Sequence, residues 1–342
     1  MTIKEIARES GYAVGTVSRV LNNHPDVSDK ARARVMEVVE KYHFRLNNNA
    51  KHLKQQTNSG IAIIVKGTRN MLFANMVESL QLLIKEKGYA CLLYFIGEDD
   101  HEVEQALQVC RERQPLGILF LGSNQENFKE RFAEVDVPCV LVTNPASSLE
   151  FDNLSSVCVD DIAAAETVIE HLLSMGHKKI GILGGEITHS NPAKSRYEGC
   201  VAAFQKHGIS FDPEKQFEAA YFTMEGGYEA MGNLLDKMPD LTAVFAMADV
   251  TALGAIRAAK DRGLRVPEDL SVVGFDGIEI GQYLVPKLTT IKQPNEELAA
   301  RCVEILLQCI CEKTPAINEK VPFSFIEGES TAVLQEEIGV QK

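Results

Sequence analysis

Acidic side chains follow several apolar, β-rich runs of this sequence, where a parallel sheet would place a ligand. They are Asp160 with Asp161, Asp249 and Asp276, and Arg196 opens a helical pattern in the same half of the chain. Carboxylates accept hydrogen bonds from hydroxyl or amine groups, and arginine donates in a fixed planar fork, so together they suit a polar small molecule. Each aspartate could instead cap the helix that follows it, and for Asp249 both interpretations stay open.

Sequence motifs that would indicate an enzyme or a bound cofactor are missing. Neither the dinucleotide fingerprint G-x-G-x-x-G nor the phosphate loop G-x-x-x-x-G-K-[ST] occurs. The eight cysteines are scattered, without a C-x-x-C pair or a Cys/His cluster at metal spacing. We interpret them as small buried hydrophobic residues. The sequence therefore predicts no catalytic residues, no cofactor and no metal site.

The elements that position these side chains form an alternation of β-rich runs and longer amphipathic stretches. The predicted strands cover 61–65, 90–96, 118–121, 139–142, 157–159, 180–183, 243–246 and 270–275, and the predicted helices cover 76–87, 102–113, 163–175, 193–207, 226–235 and 251–262. Apolar strands separated by helices indicate an α/β fold with parallel sheets covered on both faces, here enough for two doubly wound sheets. Ligands of such folds bind beyond the carboxyl ends of the strands.

The first residues of the chain have a different sequence pattern, which is typical of a helix-turn-helix. Thr2 to Glu5 has the S/T-x-x-E spacing of a capping box, which predicts a helix from Thr2, and Ser10-Gly11 would end it. A second short helix should follow. Its outer face carries small polar side chains and one arginine, which can reach base edges and phosphates in a major groove: Gly15, Thr16, Ser18, Arg19 and Asn22. An ordinary two-helix hairpin is the alternative.

A third helix and a basic segment complete this region. Ser28 is an N-cap candidate, and Val35, Val38, Val39 and Tyr42 recur at helical spacing and should close a three-helix core. The segment 45–54 is basic, rich in asparagine and too short to be a stable helix alone. Its isolated Leu53 suits a wedge that enters a minor groove when the segment folds on DNA, or else the segment is a simple linker.

Charge is distributed unevenly along the chain. Residues 1–57 contain ten basic and six acidic residues, whereas the whole chain of 342 residues has a net charge of −13. A cationic N-terminal region on an acidic body indicates that a polyanion binds to the N-terminal region only.

These N-terminal motifs resemble those of the lactose/galactose repressor family of bacterial transcription regulators. The similarity is carried by the segment 16–22, by Val27-Ser28 and by Asn47, Ala50 and Leu53. It implies a homodimer on a near-palindromic double-stranded DNA operator, and a hinge helix from which Leu53 intercalates. The implied DNA contacts are Thr2, Ala13, Val14, Gly15, Thr16, Ser18, Arg19, Asn22, Asn47, Ala50 and Leu53.

The rest of the chain is similar to the effector-binding body of the same family, through the segments 195–199, 248–254, 272–276 and 288–294. The resemblance implies a helix-turn-helix domain at 1–45, a hinge helix and linker at 46–58, a body at 59–334 like periplasmic sugar-binding proteins, and a tail at 335–342. The body would have one subdomain at about 59–160 and 291–319 and another at about 161–290 and 320–334. The implied effector contacts are Phe73, Asp160, Arg196, Phe222, Asp249 and Asp276.

Together these observations predict a transcription regulator, expected to be a repressor, whose operator affinity is controlled by a small polar effector. The resemblance to this family implies a sugar or a sugar derivative as that effector. A regulator that needs its ligand in order to bind DNA is one alternative, and a periplasmic-type solute-binding protein is another. No window approaches the ~18 uninterrupted apolar residues of a membrane span, and the first residues lack the apolar core of a signal peptide. We therefore expect a bacterial cytoplasmic protein associated with the nucleoid and not with a membrane.

Overall fold

The computed structural model describes residues 3–21, 27–42, 60–67, 70–188 and 190–334. The chain divides into two compact units, Met1–Thr57 and Asn58–Lys342. Five predicted DNA contacts lie outside the described residues: Thr2, Asn22, Asn47, Ala50 and Leu53. No helix in the described part of the chain is long and apolar enough to cross a membrane.

The first unit contains three helices, α1 (Ile3–Ser10), α2 (Val14–Leu21) and α3 (Asp29–Lys41). Gly11 reverses the chain after α1 with a φ of +76°, a backbone region in which glycine is not strained. Ser28 caps α3 as predicted, because its hydroxyl accepts a hydrogen bond from the amide of Ala31 at 3.4 Å. The predicted helix-turn-helix is confirmed.

The core of this unit is small and aliphatic. Ile6, Val17, Val20 and Val35 are at most 1% exposed and contact one another across the three helices. The prediction that Tyr42 belongs to this core is wrong. Tyr42 follows the last residue of α3, where the backbone leaves helical geometry, so its ring is 41% exposed.

The second unit contains twelve strands and nine helices among the described residues. The strands are β1 (Gly60–Lys66), β2 (Ala90–Ile96), β3 (Gly117–Leu121), β4 (Cys139–Val142), β5 (Leu154–Cys158), β6 (Ile180–Gly184), β7 (Phe217–Ala219), β8 (Ala243–Ala246), β9 (Ser271–Asp276), β10 (Thr289–Lys292), β11 (Asn318–Lys320) and β12 (Ser324–Ile326). The helices are α4 (Met71–Glu86), α5 (Glu102–Arg113), α6 (Gln125–Arg131), α7 (Asp161–Ser174), α8 (Asn191–Lys206), α9 (Pro213–Gln216), α10 (Met224–Lys237), α11 (Asp249–Asp261) and α12 (Asn295–Glu312).

The strands form two six-stranded sheets, which confirms the predicted doubly wound α/β body. The first sheet has the order β2-β1-β3-β4-β5-β11 and the second has the order β7-β6-β8-β9-β10-β12. All neighbours pair in parallel except β10 and β12, which are antiparallel. We call the first sheet with α4, α5, α6 and α12 the first lobe, and the second sheet with α7 to α11 the second lobe.

The chain passes between the lobes three times: after β5, between β10 and α12, and between β11 and β12. The helix α12 packs against α4 and against β3, β4 and β5, so it completes the first lobe from a late part of the sequence. Strand β10 of the second sheet ends at Lys292, so the second crossing follows that residue.

Strand β5 begins three residues earlier than the sequence pattern predicts. β5 begins at Leu154 instead of residue 157 because two serines are buried in it, each with a hydrogen-bond partner near β11. Ser155 Oγ accepts from the amide of Ile317 at 3.0 Å, and Ser156 Oγ donates to Asn318 at 2.6 Å. A buried polar side chain with a partner does not interrupt a strand.

All eight cysteines are free thiols, and five are fully buried. Cys91 and Cys110 are half-buried. Cys311 is exposed near the end of α12, so the expectation of a buried residue is wrong there.

Candidate functional site

A cleft between the two lobes has a volume of about 700 Å³. It lies at the carboxyl ends of strands from both sheets, where ligands of open α/β sheets bind. The lining residues at these strand ends are Lys66 at the end of β1 with Gly67 after it, Gly122 to Asn124 after β3, Thr143 and Asn144 after β4, Gly185 and Glu186 after β6, Ala248 after β8, and Asp276 at the end of β9.

A glycine lets two strand ends of the first lobe approach closely. Gly122 has a φ of +77°, and a Cβ there would lie 2.4 Å from the carbonyl oxygen of Lys66 and 2.8 Å from the ring of Phe73. Any larger residue would push apart the loop after β3 and the start of α4. The glycine therefore positions Phe73 at the wall of the cleft.

The guanidinium of Arg196 is held from three directions. Ser190 caps α8 by accepting from the amide of Ala193 at 3.4 Å, which places Arg196 near the start of this helix. Its Nε donates to Asp161 at 2.8 Å and its Nη1 donates to the carbonyl of Met247. Its Cζ lies 3.5 Å from the ring centroid of Phe275, close enough for a cation–π interaction. The side chain is only 5% exposed, so its orientation is fixed before any ligand binds.

Asp276 ends β9 with a φ of +116° and is 2% exposed. Gln293 fixes it twice, since its side-chain amide donates to Asp276 Oδ1 at 2.9 Å and its backbone amide donates to the carbonyl oxygen of Asp276 at 3.1 Å. Burial raises the pKa of Asp276 to about 7, although Arg196 and the hydrogen bond from Gln293 act in the opposite direction. This carboxyl group therefore titrates near neutral pH.

The lysine of the cleft is paired with a buried carboxylate. Lys66 Nζ lies 3.0 Å from Glu102, which is 1% exposed. Glu102 also accepts from the amide of Asn124 at 2.6 Å and from the side chain of Asn127 at 2.7 Å. One buried glutamate thus fixes three polar residues that line the cleft and balances the charge of the lysine.

Several polar atoms of the lining residues have no hydrogen-bond partner. Within the described part of the chain these include Ser123 Oγ, Asn144 Oδ1 and Gln293 Oε1, all buried. Asn144 is nevertheless oriented, because its Nδ2 donates to the carbonyl of Ser123 at 2.6 Å. Buried polar groups are almost always paired in folded proteins, so this cluster is typical of a site that a polar ligand or water completes.

Four of the six predicted effector contacts lie together in this cleft: Phe73, Arg196, Phe222 and Asp276. Phe222 and Phe73 come from different lobes. Both of the predicted charged contacts in this group, Arg196 and Asp276, thus line the same cleft.

Asp160 does not line the cleft, which corrects the sequence-based expectation. It caps α7, accepting from the amide of Ala163 at 3.2 Å, and it accepts from Lys320 at 2.6 Å, an ion pair that lowers its pKa. The next residue, Asp161, points into the protein and pairs with Arg196. Burial raises the pKa of Asp161 and Arg196 opposes this.

Asp249 does not line the cleft either, and it is not a helix cap. It is the first residue of α11 and is fully buried, accepting from the amide of Ile278 at 2.8 Å and from the hydroxyl of Thr290 at 2.6 Å. Burial, followed by the charge of Asp276, raises its pKa well above the usual range. Because it holds the backbone two residues after Asp276, its role is to position the loop that carries the cleft carboxyl group.

Sequence reasoning missed several lining residues, including Glu98, Asp99, His101, Tyr221 and Gln293. Glu98 and Asp99 follow β2, so the strand-end rule could have found them. Asn144 follows β4 in the same way. Tyr221 and Gln293 lie beside a three-residue strand and a crossing segment, for which the sequence pattern gives no comparable signal.

The predicted DNA-contacting residues that are described form the outer side of α2. Val14 is 42% exposed, no described atom lies within 4 Å of a Cβ built on Gly15, and Arg19 is exposed. Thr16 and Ser18 are half-buried. Ala13 directly precedes α2, and its carbonyl oxygen accepts hydrogen bonds from the amides of Thr16 and Val17 at 2.9 and 3.1 Å. A narrow polar face of this kind can enter a major groove.

Residues 2–47 match bacterial regulatory proteins of the lacI family, and residues 169–331 match the periplasmic binding protein-like domain. The HTH-type transcriptional regulator MalR of Clostridium butyricum is 36% identical over 91% of this chain and 93% of its own length.

Two solved structures also have this fold. The transcriptional regulator CelR in complex with cellobiose is 25% identical, with a TM-score of 0.71 over 96% of this chain and 99% of that one. The Lac repressor dimer bound to operator and the anti-inducer ONPF is 23% identical, with a TM-score of 0.77 over 97% and 99% of the two chains.

Proposed function

Because the chain belongs to the lacI family of bacterial regulatory proteins, we propose that it represses transcription as a homodimer on a near-palindromic operator, under the control of a sugar-like effector. It is a DNA-binding transcription regulator with a periplasmic-binding-like body, and it is not an enzyme. The operator, the dimer and the class of effector are our proposals. We place the protein at the nucleoid of the bacterial cytoplasm, where its operator would be.

The observation that supports a polar, uncharged effector most directly is the set of fixed but unpartnered groups in the cleft. Ser123, Asn144 and Gln293 leave buried oxygen atoms without partners in the cleft that Asp276 also lines. Sugar hydroxyl groups can donate to such atoms and accept from Arg196. Among the described residues that line the cleft, the cations Lys66 and Arg196 already pair with buried carboxylates, so an anionic ligand would gain little from these two side chains.

We propose that the DNA contacts are the residues that the sequence predicts. The exposed side of α2, from Ala13 to Arg19, would read the major groove, with Thr2 and Asn22 beside it. Asn47, Ala50 and Leu53 would act in a hinge helix, with Leu53 as the minor-groove wedge. These last residues lie outside the described part of the chain.

For the homodimer we propose a surface of the first lobe formed by α4 and the edge strand β2. Leu82 on α4 and Phe95 on β2 are each 56% exposed, and the two elements pack against each other. Exposed large apolar residues on an edge strand indicate an association surface. A second copy of the chain is the occupant we propose, because a near-palindromic operator requires a two-fold symmetric protein.

Control by the effector follows from its position between the lobes. A ligand that contacts both lobes favours one arrangement of them, and it can change operator affinity only by its difference in affinity for the two arrangements, typically about 1 to 3 kcal/mol. We propose that the two lobes are the subdomains that move, with the second crossing after Lys292 and the third after Lys320, instead of after residues 290 and 319. Whether the effector releases the operator or promotes its binding is decided by the experiment below.

Fluorescence anisotropy of labelled duplexes containing inverted repeats from upstream of the protein's own gene and its neighbours tests this proposal. We expect salt-dependent binding of at least one duplex, and a shift of affinity of about 5- to 150-fold with one member of a panel of neutral sugars. If none of the duplexes shows salt-dependent binding, the proposal of an operator-binding repressor is refuted. If operator affinity responds only to nucleobases, the proposal of a sugar-like effector is refuted.

A further inference from the structure

The last described segment of the chain, residues 328–334, lies along the second lobe, and we call it the strap. It bonds to the starts of two strands of the second sheet. The carbonyl oxygen of Ser330 accepts from the amide of Val272 in β9 at 2.8 Å, and its hydroxyl oxygen accepts from the amide of Thr289 in β10 at 2.9 Å. The strap therefore holds together two strands whose other ends carry the carboxyl group of Asp276 and the second crossing.

The imidazole ring of His177 ties the strap to two other segments of the second lobe. His177 lies between α7 and β6. Its Nε2 is 2.9 Å from the carbonyl oxygen of Ala332 in the strap, and its Nδ1 is 3.1 Å from Thr242 Oγ1, directly before β8. The residue is 3% exposed and does not line the cleft. One buried ring thus joins the strap, the segment before β6 and the segment before β8.

The oxygen atoms around this ring determine where its hydrogen atoms lie. A carbonyl oxygen only accepts hydrogen bonds, so Nε2 must carry a hydrogen atom to bond to Ala332. In the neutral ring Nδ1 is then an acceptor, and the hydroxyl of Thr242 donates to it. The same hydroxyl lies 3.3 Å from the carbonyl oxygen of Lys179, which is an alternative acceptor. A second proton on Nδ1 would therefore turn the Thr242 hydroxyl toward Lys179, so the hydrogen bonds allow both forms of the ring.

The surroundings of the ring nevertheless favour its neutral form. The two groups that the ring contacts, a carbonyl and a hydroxyl, are uncharged, so neither offsets the cost of burying an imidazolium. Burial lowers the pKa of His177, although the hydrogen bond to the carbonyl of Ala332 acts in the opposite direction.

The acidic groups on the segments around His177 bond to or act on other residues. The pairs are Asp240 with Lys179 at 2.5 Å, Asp269 with Arg265 at 2.6 Å, and Glu329 with the amide of Lys287 at 3.1 Å. Burial lowers the pKa of His171 on α7, and Glu327 raises it. The adjacent Lys178 is exposed and adds a positive charge. A proton on His177 would thus be a buried charge without a carboxylate bonded to it.

We propose that His177 is an acid-released latch, which holds the strap closed while its ring is neutral and opens the strap when the ring is protonated. The closed strap is fully stable above the ordinary histidine pKa of about 6.5. It loses stability as the pH falls through the lower pKa of the closed state. Opening frees the starts of β9 and β10, so acid weakens the support of Asp276 without a contact to the ligand. The latch goes beyond the proposed function, because it requires no particular effector or operator.

Hydrogen–deuterium exchange of the ligand-free, full-length protein at pH 7.5 and pH 5.5 tests the latch. Mass spectrometry of peptides follows the exchange, and exchange times are scaled for the slower intrinsic exchange of amides in acid. After this scaling, peptides covering the strap should exchange at least threefold faster at pH 5.5, because opening exposes their amides to solvent. Peptides covering β3 in the first lobe should show no such increase.

The variant His177→Gln can keep both hydrogen bonds but cannot take up a proton. Its amide nitrogen can donate to Ala332, and its amide oxygen can accept from Thr242. The strap of this variant should exchange equally at the two pH values after scaling. The matched control is His171→Gln, which replaces another histidine beside the strap, 3.4 Å from Thr331 Oγ1. This control should keep the pH response of the wild type.

Nuclear magnetic resonance of the wild type with labelled histidines gives a second measurement that needs no variant. At pH 7.5 the ring of His177 should be neutral with its hydrogen atom on Nε2. It should become protonated over the same pH interval in which exchange of the strap rises.

Several outcomes overturn the latch. Strap exchange in the wild type that is equal at both pH values, or slower at pH 5.5, overturns it. So does a wild-type pH response in His177→Gln, a lost response in His171→Gln, or a ring of His177 that is already doubly protonated at pH 7.5. If His177→Gln does not fold, the resonances of the wild type decide, and protonation outside the pH interval of strap opening overturns the latch. None of these outcomes affects the proposed binding of an operator or of an effector.

Discussion

The carboxyl group of Asp276 should make the stability of the free protein depend on pH near neutrality. Burial raises its pKa to about 7 from a usual value of 3.8. A carboxyl group whose pKa rises on folding binds more protons in the folded state than in the unfolded state. The stabilisation that this group gives to the folded state is complete below its pKa in the unfolded protein. It is lost as the pH rises through its pKa in the folded protein.

The size of the effect follows from these two values. One pKa unit corresponds to about 1.4 kcal/mol, so ionised Asp276 lowers the free energy of unfolding by roughly 4 kcal/mol at high pH. Between pH 6 and pH 8 the loss is about 1.4 kcal/mol, because half of that interval lies below a folded pKa near 7. Asp276→Asn keeps the shape and an acceptor for Gln293 but cannot ionise.

Urea unfolding of the ligand-free protein at pH 6, 7 and 8 measures this effect as the difference between the wild type and Asp276→Asn. The variant should gain about 1.4 kcal/mol relative to the wild type between pH 6 and pH 8. His171 and His177, whose pKa values burial lowers, titrate in both proteins and cancel in the difference. A difference that does not change with pH would refute the assignment of a neutral-range pKa to this residue.

Five further substitutions have separable outcomes. Asp161→Ala leaves the buried guanidinium of Arg196 without its carboxylate, so it should lower the free energy of unfolding in urea by about 3 to 5 kcal/mol and abolish effector binding. Asp160→Ala removes only a helix cap, so it should lower the free energy of unfolding by about 1 kcal/mol and leave effector affinity unchanged. Gly274→Ala would place a Cβ 2.1 Å from the buried Asp249 carboxylate and should cost roughly 3 kcal/mol. Leu82→Asp should convert the dimer to a monomer in sedimentation velocity. Leu53→Ala should lose specific operator affinity in anisotropy and keep most non-specific binding.

Opposite results would contradict the corresponding roles. Equal losses of effector binding at positions 160 and 161 would mean that the cap residue also contacts the ligand. Normal stability of Gly274→Ala would mean that the loop after β9 is not held by Asp249. An intact dimer of Leu82→Asp would exclude the α4 surface, and equal losses of specific and non-specific DNA binding in Leu53→Ala would exclude the wedge.

The sequence was sufficient to predict the main elements and an aspartate that lines the cleft. Long buried strands such as β1 and β9 have unmistakable apolar runs, and the carboxyl ends of parallel strands converge, so the position of Asp276 at the end of β9 follows from the sequence pattern. The three-residue strands β7, β11 and β12 are too short to show a period of two. Their positions depend on pairing with distant strands.

The errors at Asp160 and Asp249 have a common physical origin. Sequence patterns place a residue along a strand or helix, but they do not show which neighbouring carboxylate has a buried partner. Asp160 faces Lys320, and Asp161, one position later, faces Arg196. The carboxylate of Asp249 is satisfied by a hydroxyl and an amide from segments 29 and 41 residues away, a contact that only the folded chain reveals.

The three crossings between the lobes also determine when the cleft can form during synthesis. The first sheet acquires β5 at residue 158, but the helix α12 that covers β3, β4 and β5 begins only at Asn295, about 140 residues later. At about 5 to 20 residues per second the ribosome needs roughly 7 to 28 s to supply it. During that interval one face of the nascent first lobe remains uncovered, so we expect it to be a chaperone substrate until the last segments of the chain have emerged.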